Sequence, residues 1–553
     1  MDIDKQHLNS TDDAREIDDE IAVVIEIPDS DPFYDKKKKL LEDMGFDPLG
    51  SVQIKSSSTP DQLKNFLDVL LRMARVKNFS EVELYFSRDV IDLGDYTNPR
   101  NELLALHAIL ESIDKSLSSK INRSKNVLHN LQNSIIDRIH TLGSKFVEET
   151  KIVEDSSCDK EQCLLDWTVK NGVKTKLEIA YVEGAGRGAI ATEKLEVGDV
   201  ALEIPVSIII SEDLLHESDL YPILAKIDGI SLETMLLLWS MKEKHNKSSR
   251  FKLYFDTLPE HFNTGLSFGT NAFMALDGML LLEEILQAKE HLRTQYDELF
   301  PALCNHHPDV FPPELYTWEQ FLWACELWYS NSMKVIFGDG KLRTCLIPVA
   351  GFLNHSTFPH IMHYGKVDAT TNSLSFPLSR TCHAGEQCFL SYGRLSSSHL
   401  LTFYGFIPQG DNNPFDVIPL DIDLGEDSDC KASEWGTHMV RGTWLSKNHE
   451  IFHYGLPSLL LDHIRKARDP EWWSSGNEIL DNELDILRDL TSTFEGMMEG
   501  FGDENLDDGE RASWDVKLAM EFKNLQRKIV SSILTSCNAG CELIERELKK
   551  LAN

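Results

Sequence analysis

Short strand-like segments on both sides of a long helical stretch set the strongest limit on this fold. Residues 175–212 contain two segments typical of strands, and residues 345–407 return to short strands and turns. Between them, residues 213–337 have the apolar spacing of helices, as in Leu232–Met241 and Trp318–Val335. One strand region is therefore split by a helical insertion, which predicts an α+β fold.

Helical patterns predominate on both sides of this region. Residues 1–35 are acidic, and we predict a disordered acidic tail there. We predict a helical N-terminal extension over residues 36–155, all-α structure over residues 425–553, and an acidic linker over residues 420–430. A coiled-coil-like seam in the extension comprises Leu103, Leu106, Leu110, Ile113, Leu117, Leu128, Leu131, Ile135 and Leu142. Because the seam is short and broken at Ile121, an intramolecular hairpin is favoured over a coiled-coil dimer.

Charge and composition exclude several classes of function. The 553 residues include 55 Lys+Arg and 90 Asp+Glu, a net charge of −35. This charge disfavours nucleic acids and acidic membranes as partners.

No apolar run reaches the length of a membrane span, and the acidic N-terminus is not typical of a signal or transit peptide, so we expect a cytoplasmic or nuclear protein. The ten cysteines form no Cys-x-x-Cys pair, which indicates reduced thiols.

The segment Gly184-Ala-Gly186-Arg187-Gly188 follows a predicted strand. Glycines in this position can hold a dinucleotide phosphate, but that motif requires a helix immediately afterwards. Here a second turn, Glu196-Val-Gly-Asp199, follows too soon for a helix. A dinucleotide-dependent oxidoreductase is therefore disfavoured. The glycines still allow the backbone to approach a bound molecule closely.

Three further segments complete an ordered set of motifs. They are Leu346-Ile-Pro-Val-Ala-Gly-Phe-Leu-Asn354-His355-Ser356, Gly385-Glu-Gln-Cys-Phe-Leu-Ser391-Tyr392-Gly393 and Tyr404-Gly405-Phe406. In this order, the four segments resemble a SET domain, most closely the group that contains the Rubisco large-subunit methyltransferase and the actin-histidine methyltransferase. Phe251–Pro259, Asn412-Asn413-Pro414 and Leu456-Pro457 are also similar to segments of that group. The resemblance covers residues 160–550.

The resemblance implies a domain organisation. It implies a β-rich SET domain over residues 160–410, with a threaded pseudoknot at Asn354-His355 and the helical insertion over residues 213–337. It also implies that residues 425–553 are a helical substrate-binding domain like that of the Rubisco methyltransferase. Residues 1–150 lie outside the resemblance.

The resemblance implies S-adenosylmethionine as the methyl donor. Backbone atoms of Gly186, Arg187 and Gly188 would run alongside this donor. Asn354 would bond its charged amino-acid end. The donor's methyl group must face the acceptor in line, at about 3 to 3.5 Å.

Three aromatic or imidazole side chains would complete the site. His355 would present main-chain groups to the adenine, and a buried structural histidine is the alternative. Phe406 would offer a flat face to the adenine, with plain core packing as the alternative. Tyr392 is the predicted catalytic residue, because its phenol can orient the acceptor lone pair beside the methyl group.

The predicted activity is S-adenosylmethionine-dependent methylation of a lysine, or less favourably a histidine, of a folded non-histone protein. A lysine must lose its proton before it accepts a methyl group, and a dry channel lowers its pKa by desolvation. No dedicated strong base is therefore required. The acidic surface predicts a protein substrate with a basic patch.

Two positions depart from the family pattern. Asn331 replaces the usual arginine, and Gly351 replaces the usual aspartate. If these positions pair, losing both partners can be nearly neutral, whereas losing one costs several kcal/mol. The two departures motivate an alternative, a catalytically weak or inactive SET-fold scaffold for protein–protein interaction.

Histidines and cysteines also lie near one another between residues 355 and 388. They are His355, His360, His363, Cys382, His383 and Cys388. Zinc sites prefer four nitrogen or sulfur ligands in close pairs, and the spacing here is irregular. The sequence therefore predicts no metal site.

Overall fold

The computed structural model describes residues 20–47, 50–87, 98–118, 125–146, 149–154, 156–410, 413–420, 435, 437–446, 456–468, 478–502 and 512–551. The chain folds as two units, each built from two separate stretches of sequence. The first combines Met1–Phe79 with Asn101–Leu142, and the second combines Ser80–Arg100 with Gly143–Asn553. No described helix is both long and apolar enough to cross a membrane.

The N-terminal part of the chain contains two short strands among its helices. In chain order the elements are β1 (Glu20–Val24), α1 (Tyr34–Asp43), β2 (Ser51–Lys55), α2 (Pro60–Lys77), α3 (Glu81–Ser87), α4 (Pro99–Ser118) and α5 (Lys125–Gly143). Strands β1 and β2 pair antiparallel, with Ile21 opposite Ile54. Thr59 is the N-cap residue of α2 and forms a capping box with Gln62.

These strands correct two sequence predictions. Strand β1 lies in the predicted disordered tail over residues 1–35, and β2 lies in the extension predicted as helical. The alternating side chains Ile21 and Val23 are fully buried, so local apolar alternation outweighs the acidic composition of the segment.

Most of the predicted seam is buried in the single chain. Leu103, Leu106, Ile113, Leu128, Leu131 and Ile135 are at most 1% exposed in the single chain. This burial supports intramolecular packing of the seam. Ile121, where the pattern shifts, lies outside the described residues.

The second unit continues with a strand-rich region split by helices. Its elements up to the insertion are α6 (Asp159–Lys170), β3 (Lys174–Thr175), β4 (Leu177–Val182), β5 (Gly186–Ala191) and β6 (Val200–Pro205). The insertion contains α7 (Asp213–His216), α8 (Tyr221–Leu224), α9 (Leu232–His245), α10 (Lys252–Thr257), α11 (Thr270–Ala275), α12 (Leu280–His306) and α13 (Trp318–Asn331). After it come β7 (Ser332–Ile336), β8 (Leu342–Leu346), β9 (Val367–Asp368), β10 (Ser373–Pro377) and α14 (Ser397–Tyr404).

The strands before and after the insertion pair with each other. One sheet has the order β3-β6-β10-β9, so β6 pairs antiparallel with β10 from beyond the insertion. Strands β4 and β5 form a hairpin, as do β7 and β8. The predicted helix Trp318–Val335 is too long, because Ser332–Val335 pair with β8 rather than continue α13. The threaded crossing stays a prediction.

The C-terminal part is mainly helical. It contains β11 (Ile418–Leu420), β12 (His438–Val440), α15 (Ser458–Arg468), α16 (Glu478–Gly500) and α17 (Trp514–Leu551). Phe494 of α16 and Ile529 and Ile533 of α17 are buried in one core. Strand β12 corrects the prediction of all-α structure over residues 425–553; its three residues are too few to leave a strand pattern in the sequence. The predicted linker lies outside the described residues beyond Leu420.

Gly405 ends α14 in the left-handed conformation, with φ = 78°. A Cβ at this position would overlap the Asn263 backbone carbonyl. We expect Gly405→Ala to lower the free energy of unfolding by roughly 2–4 kcal/mol, because it adds a steric overlap to conformational strain. Gly410 is the matched control: it has φ = 83°, but a Cβ there would meet open space.

Denaturant unfolding of both variants tests this prediction. Gly410→Ala should lose only about 1 kcal/mol, from the backbone conformation alone. Equal losses in the two variants would contradict a steric role for Gly405.

Candidate active site

The Asn354 side chain joins the separate motifs. Its Nδ2 donates to the Arg187 backbone carbonyl at 3.0 Å and to Gln387 Oε1 at 2.8 Å. Its own backbone carbonyl accepts the Leu390 N–H at 2.8 Å. Segments that are far apart in the sequence therefore meet at one asparagine. With both contacts made by Nδ2, Oδ1 is the side-chain acceptor left for a ligand.

Gly188 allows this close approach. In the β4–β5 hairpin it pairs with Ala180. A Cβ on Gly188 would overlap Gln387 Oε1 and lie 3.3 Å from Asn354 Nδ2. A side chain at this position would therefore displace Gln387, which bonds Asn354.

The Arg187 side chain anchors the hairpin. Its Nη1 lies 2.8 Å from Glu161 Oε1 and also donates to the Thr257 carbonyl. Its guanidinium carbon lies 5.2 Å from the centroid of the Phe352 ring. These contacts engage the Arg187 side chain, and its backbone carbonyl accepts Asn354 Nδ2. The predicted contact of the Arg187 backbone with the donor stays a prediction.

His355 connects to both of the remaining predicted residues. Its Nδ1 accepts the Tyr392 backbone N–H at 3.2 Å, and the two rings stack with centroids 5.2 Å apart. The half-buried Phe406 ring lies 6.4 Å from the His355 ring. Burial, followed by the Arg100 charge, lowers the pKa of His355 to about 4, so the imidazole is neutral at pH 7. The structure therefore gives His355 a structural contact, and its predicted adenine contact stays a prediction.

The Tyr392 phenol is held inside the protein. Its hydroxyl donates to the Leu353 carbonyl at 3.0 Å, and its ring stacks on Tyr404 at 5.1 Å. Burial raises the pKa of this phenol above its ordinary value, and Tyr404 and Tyr364 act in the same direction. Tyr392 is therefore a protonated hydrogen-bonding group at neutral pH, not a base.

The two departures from the family pattern lie next to each other. A Cβ built on Gly351 would be 3.2 Å from Asn331 Oδ1. Asn331 Nδ2 donates to Ser330 Oγ at 2.7 Å. The two departures thus fall on neighbouring positions, so neither leaves an unpaired charge beside the other.

Three of the six candidate metal ligands come together. His360, Cys382 and Cys388 are fully buried, with ligand atoms within 4.8 Å of one another. However, His360 Nδ1 accepts the Phe389 N–H at 3.1 Å, and its Nε2 lies 3.2 Å from Glu386 Oε1. Both imidazole nitrogens are therefore engaged by the protein. Coordination through Nε2 would require a proton on Nδ1, which would break the Phe389 bond.

Sequence reasoning missed three residues of this site. Gln387 and Tyr404 lie inside the quoted motifs, so their position there could have identified them as site residues. Arg100 bonds Ser391 from outside every motif, with Nη2 to Oγ at 3.0 Å, and no sequence signal identified it.

Comparison with known proteins gives one family model and several relatives. The family model, Rubisco LSMT substrate-binding, matches residues 28–165. Most of this match lies in residues 1–150, which the motifs leave outside the resemblance. The similarity over residues 425–553 stays a prediction.

The relatives are SET-domain proteins and methyltransferases. Mouse SET domain-containing protein 4 is 25% identical over 268 residues, covering 45% of this chain and 58% of the relative. The chloroplastic [fructose-bisphosphate aldolase]-lysine N-methyltransferase of Arabidopsis thaliana is 24% identical, covering 45% and 51%. The actin-histidine N-methyltransferase of Rhinolophus ferrumequinum is 23% identical, covering 48% and 44%. The chain thus spans about half the length of the curated relatives it matches.

A solved structure shares the fold. The crystal structure of the SET domain of LSMT bound to lysine and AdoHcy matches with a TM-score of 0.52 and 18% identity, covering 72% of this chain and 96% of that chain. The predicted resemblance and SET-like fold are confirmed.

Proposed function

We propose that this chain, whose motifs and fold resemble those of SET-domain methyltransferases, is an S-adenosylmethionine-dependent protein methyltransferase. The observation that carries the proposal is the Asn354–His355 junction. Asn354 bonds the glycine hairpin, and the adjacent His355 bonds the Tyr392 backbone. The segments proposed to bind the donor and to promote transfer are therefore held together.

The residues present fit this donor. Asn354 Oδ1 can accept a hydrogen bond from an ammonium group, because Nδ2 already donates within the protein. The Arg187 backbone lies beside it, and the half-buried Phe406 ring offers an aromatic face. When bound, the donor supplies a methyl group on an electrophilic sulfonium.

The acceptor side of the proposal is a lysine amine. In this proposal the partly buried rings of Tyr392, Tyr404 and Tyr364 would line the transfer site. Burial raises the pKa of each of these phenols. Such an environment favours the neutral amine over the ammonium. The Tyr392 hydroxyl, fixed by the Leu353 carbonyl, then orients the amine lone pair. A histidine acceptor is the second possibility within this class.

The substrate in this proposal is a folded non-histone protein with a basic patch. A net charge of −35 attracts such a surface and accelerates its association. In this proposal the C-terminal helices α15, α16 and α17 would hold it. The family match at residues 28–165 supports a separate substrate-binding role for that stretch.

A labelled-methyl assay on a proteome lysate tests the activity, followed by identification of the modified residue. We expect label on lysine, and we expect less incorporation as salt concentration rises because charge steering is screened. Titration calorimetry with S-adenosylmethionine tests the donor site directly. Absence of donor binding would favour the scaffold alternative, which the intact Asn354–Tyr392 arrangement does not favour.

A further inference from the structure

A buried polar network joins residues 80–83 to residues 98–100, outside all of the motifs. Glu83 is 1% exposed, and its carboxylate accepts the Ser80 N–H at 2.7 Å and Asn98 Nδ2 at 3.0 Å. Asn98 Oδ1 in turn accepts the Arg100 N–H at 3.0 Å. These bonds fix the backbone that carries the Arg100 side chain.

The Arg100 guanidinium contacts the residue before Tyr392. Its Nε and Nη2 lie 3.3 and 3.0 Å from Ser391 Oγ, and both residues are buried. Beyond Tyr392, Arg394 Nε lies 3.9 Å from Glu83 Oε2. This network therefore contacts the chain on both sides of the predicted catalytic tyrosine.

Arg100 also acts on His355. Burial lowers the His355 pKa first, the Arg100 charge lowers it further, and a backbone hydrogen bond with Leu390 opposes them. Among the described residues, the charged or titratable groups facing this imidazole are Arg100 and Tyr392. His355 Nδ1 can accept the Tyr392 N–H only while it carries no proton. Protonation would therefore release the tyrosine backbone.

We propose that Arg100 is a positioning residue for Tyr392, because it fixes the adjacent Ser391 directly. This inference rests on the proposed methyltransferase function. It assigns a role in the site to a segment that the sequence analysis placed in the N-terminal extension.

The test compares Arg100→Gln with Arg100→Lys. Arg343→Gln is the matched control, because Arg343 is equally buried at 9% exposure and lies outside the site. In Arg100→Gln we expect the His355 pKa to rise by about one unit, measured by NMR of labelled histidine. We expect kcat at pH 7 to fall roughly 10-fold, with donor KM changed less than about threefold and the acidic limb of the pH profile moved upward. Arg100→Lys should keep the low His355 pKa and recover part of kcat.

Ser391→Ala removes the hydrogen bonds between Arg100 and Ser391 by deleting the Ser391 hydroxyl. This variant provides the test if Arg100→Gln does not fold. It should lower kcat without moving the His355 pKa. An unchanged kcat in either folded variant, or an equal loss in Arg343→Gln, would overturn the positioning role. Absence of transfer by the unmodified chain is a different result, because it would reject the proposed function itself.

Discussion

Replacing Tyr392 with phenylalanine is expected to reduce methyl transfer by roughly 10²–10³-fold while leaving donor affinity nearly unchanged. The substitution removes only the hydroxyl, which donates to the Leu353 carbonyl at 3.0 Å. The ring stacking on His355 and Tyr404 is kept, so the pocket walls stay in place. The rate of methyl transfer should therefore fall while the donor affinity stays nearly the same. Single-turnover experiments measure the rate, and calorimetry measures the affinity.

Tyr296→Phe is the matched control. The Tyr296 hydroxyl also donates to a backbone carbonyl, that of Tyr316 at 3.1 Å, but it lies in the helical insertion. We expect transfer by this variant to remain close to that of the unmodified chain. If Tyr392→Phe transfers methyl groups at the full rate, Tyr392 has no part in the mechanism. If both variants lose the same activity, the loss reflects the general cost of removing a phenol hydroxyl.

Much of the fold was predictable because its signals are local. The strand Leu177–Val182 and the apolar stripes of α16 and α17 each follow a periodicity that burial imposes on neighbouring residues. The predictions were wrong where a strand was too short to show its periodicity, or where we gave the acidic composition more weight than the alternation of apolar residues. Strand β12 has three residues, and β1 combines buried Ile21 and Val23 with an acidic flank.

The candidate site likewise contains residues that the sequence could predict and one that it could not. Asn354 and Tyr392 lie in motifs with a recognisable order, so they could be found without coordinates. Arg100 could not, because its role depends on a contact with Ser391 across 291 positions of sequence. The sequence left open whether Asn331 and Gly351 lie together. A Cβ built on Gly351 would be 3.2 Å from Asn331 Oδ1, so the two positions are neighbours.

Asn354 offers the second large expected effect. We expect Asn354→Ala to weaken S-adenosylmethionine binding roughly 10- to 100-fold, since a hydrogen bond to a charged group is worth about 1.5–3 kcal/mol. The same change deletes the bonds to the Arg187 carbonyl and Gln387 Oε1. Calorimetry gives the affinity, and denaturant unfolding gives the accompanying stability loss.

Asn354→Asp separates these two contributions. The aspartate keeps an oxygen that can face the donor ammonium, but it places a negative charge against two acceptors, the Arg187 carbonyl and Gln387 Oε1. It should therefore lose stability while retaining more donor affinity than Asn354→Ala. Asn171→Ala is the control, because its Nδ2 bonds the Trp167 carbonyl at an exposed helix end. Unchanged donor affinity in a folded Asn354→Ala variant would show that the Asn354 side chain does not bind the donor.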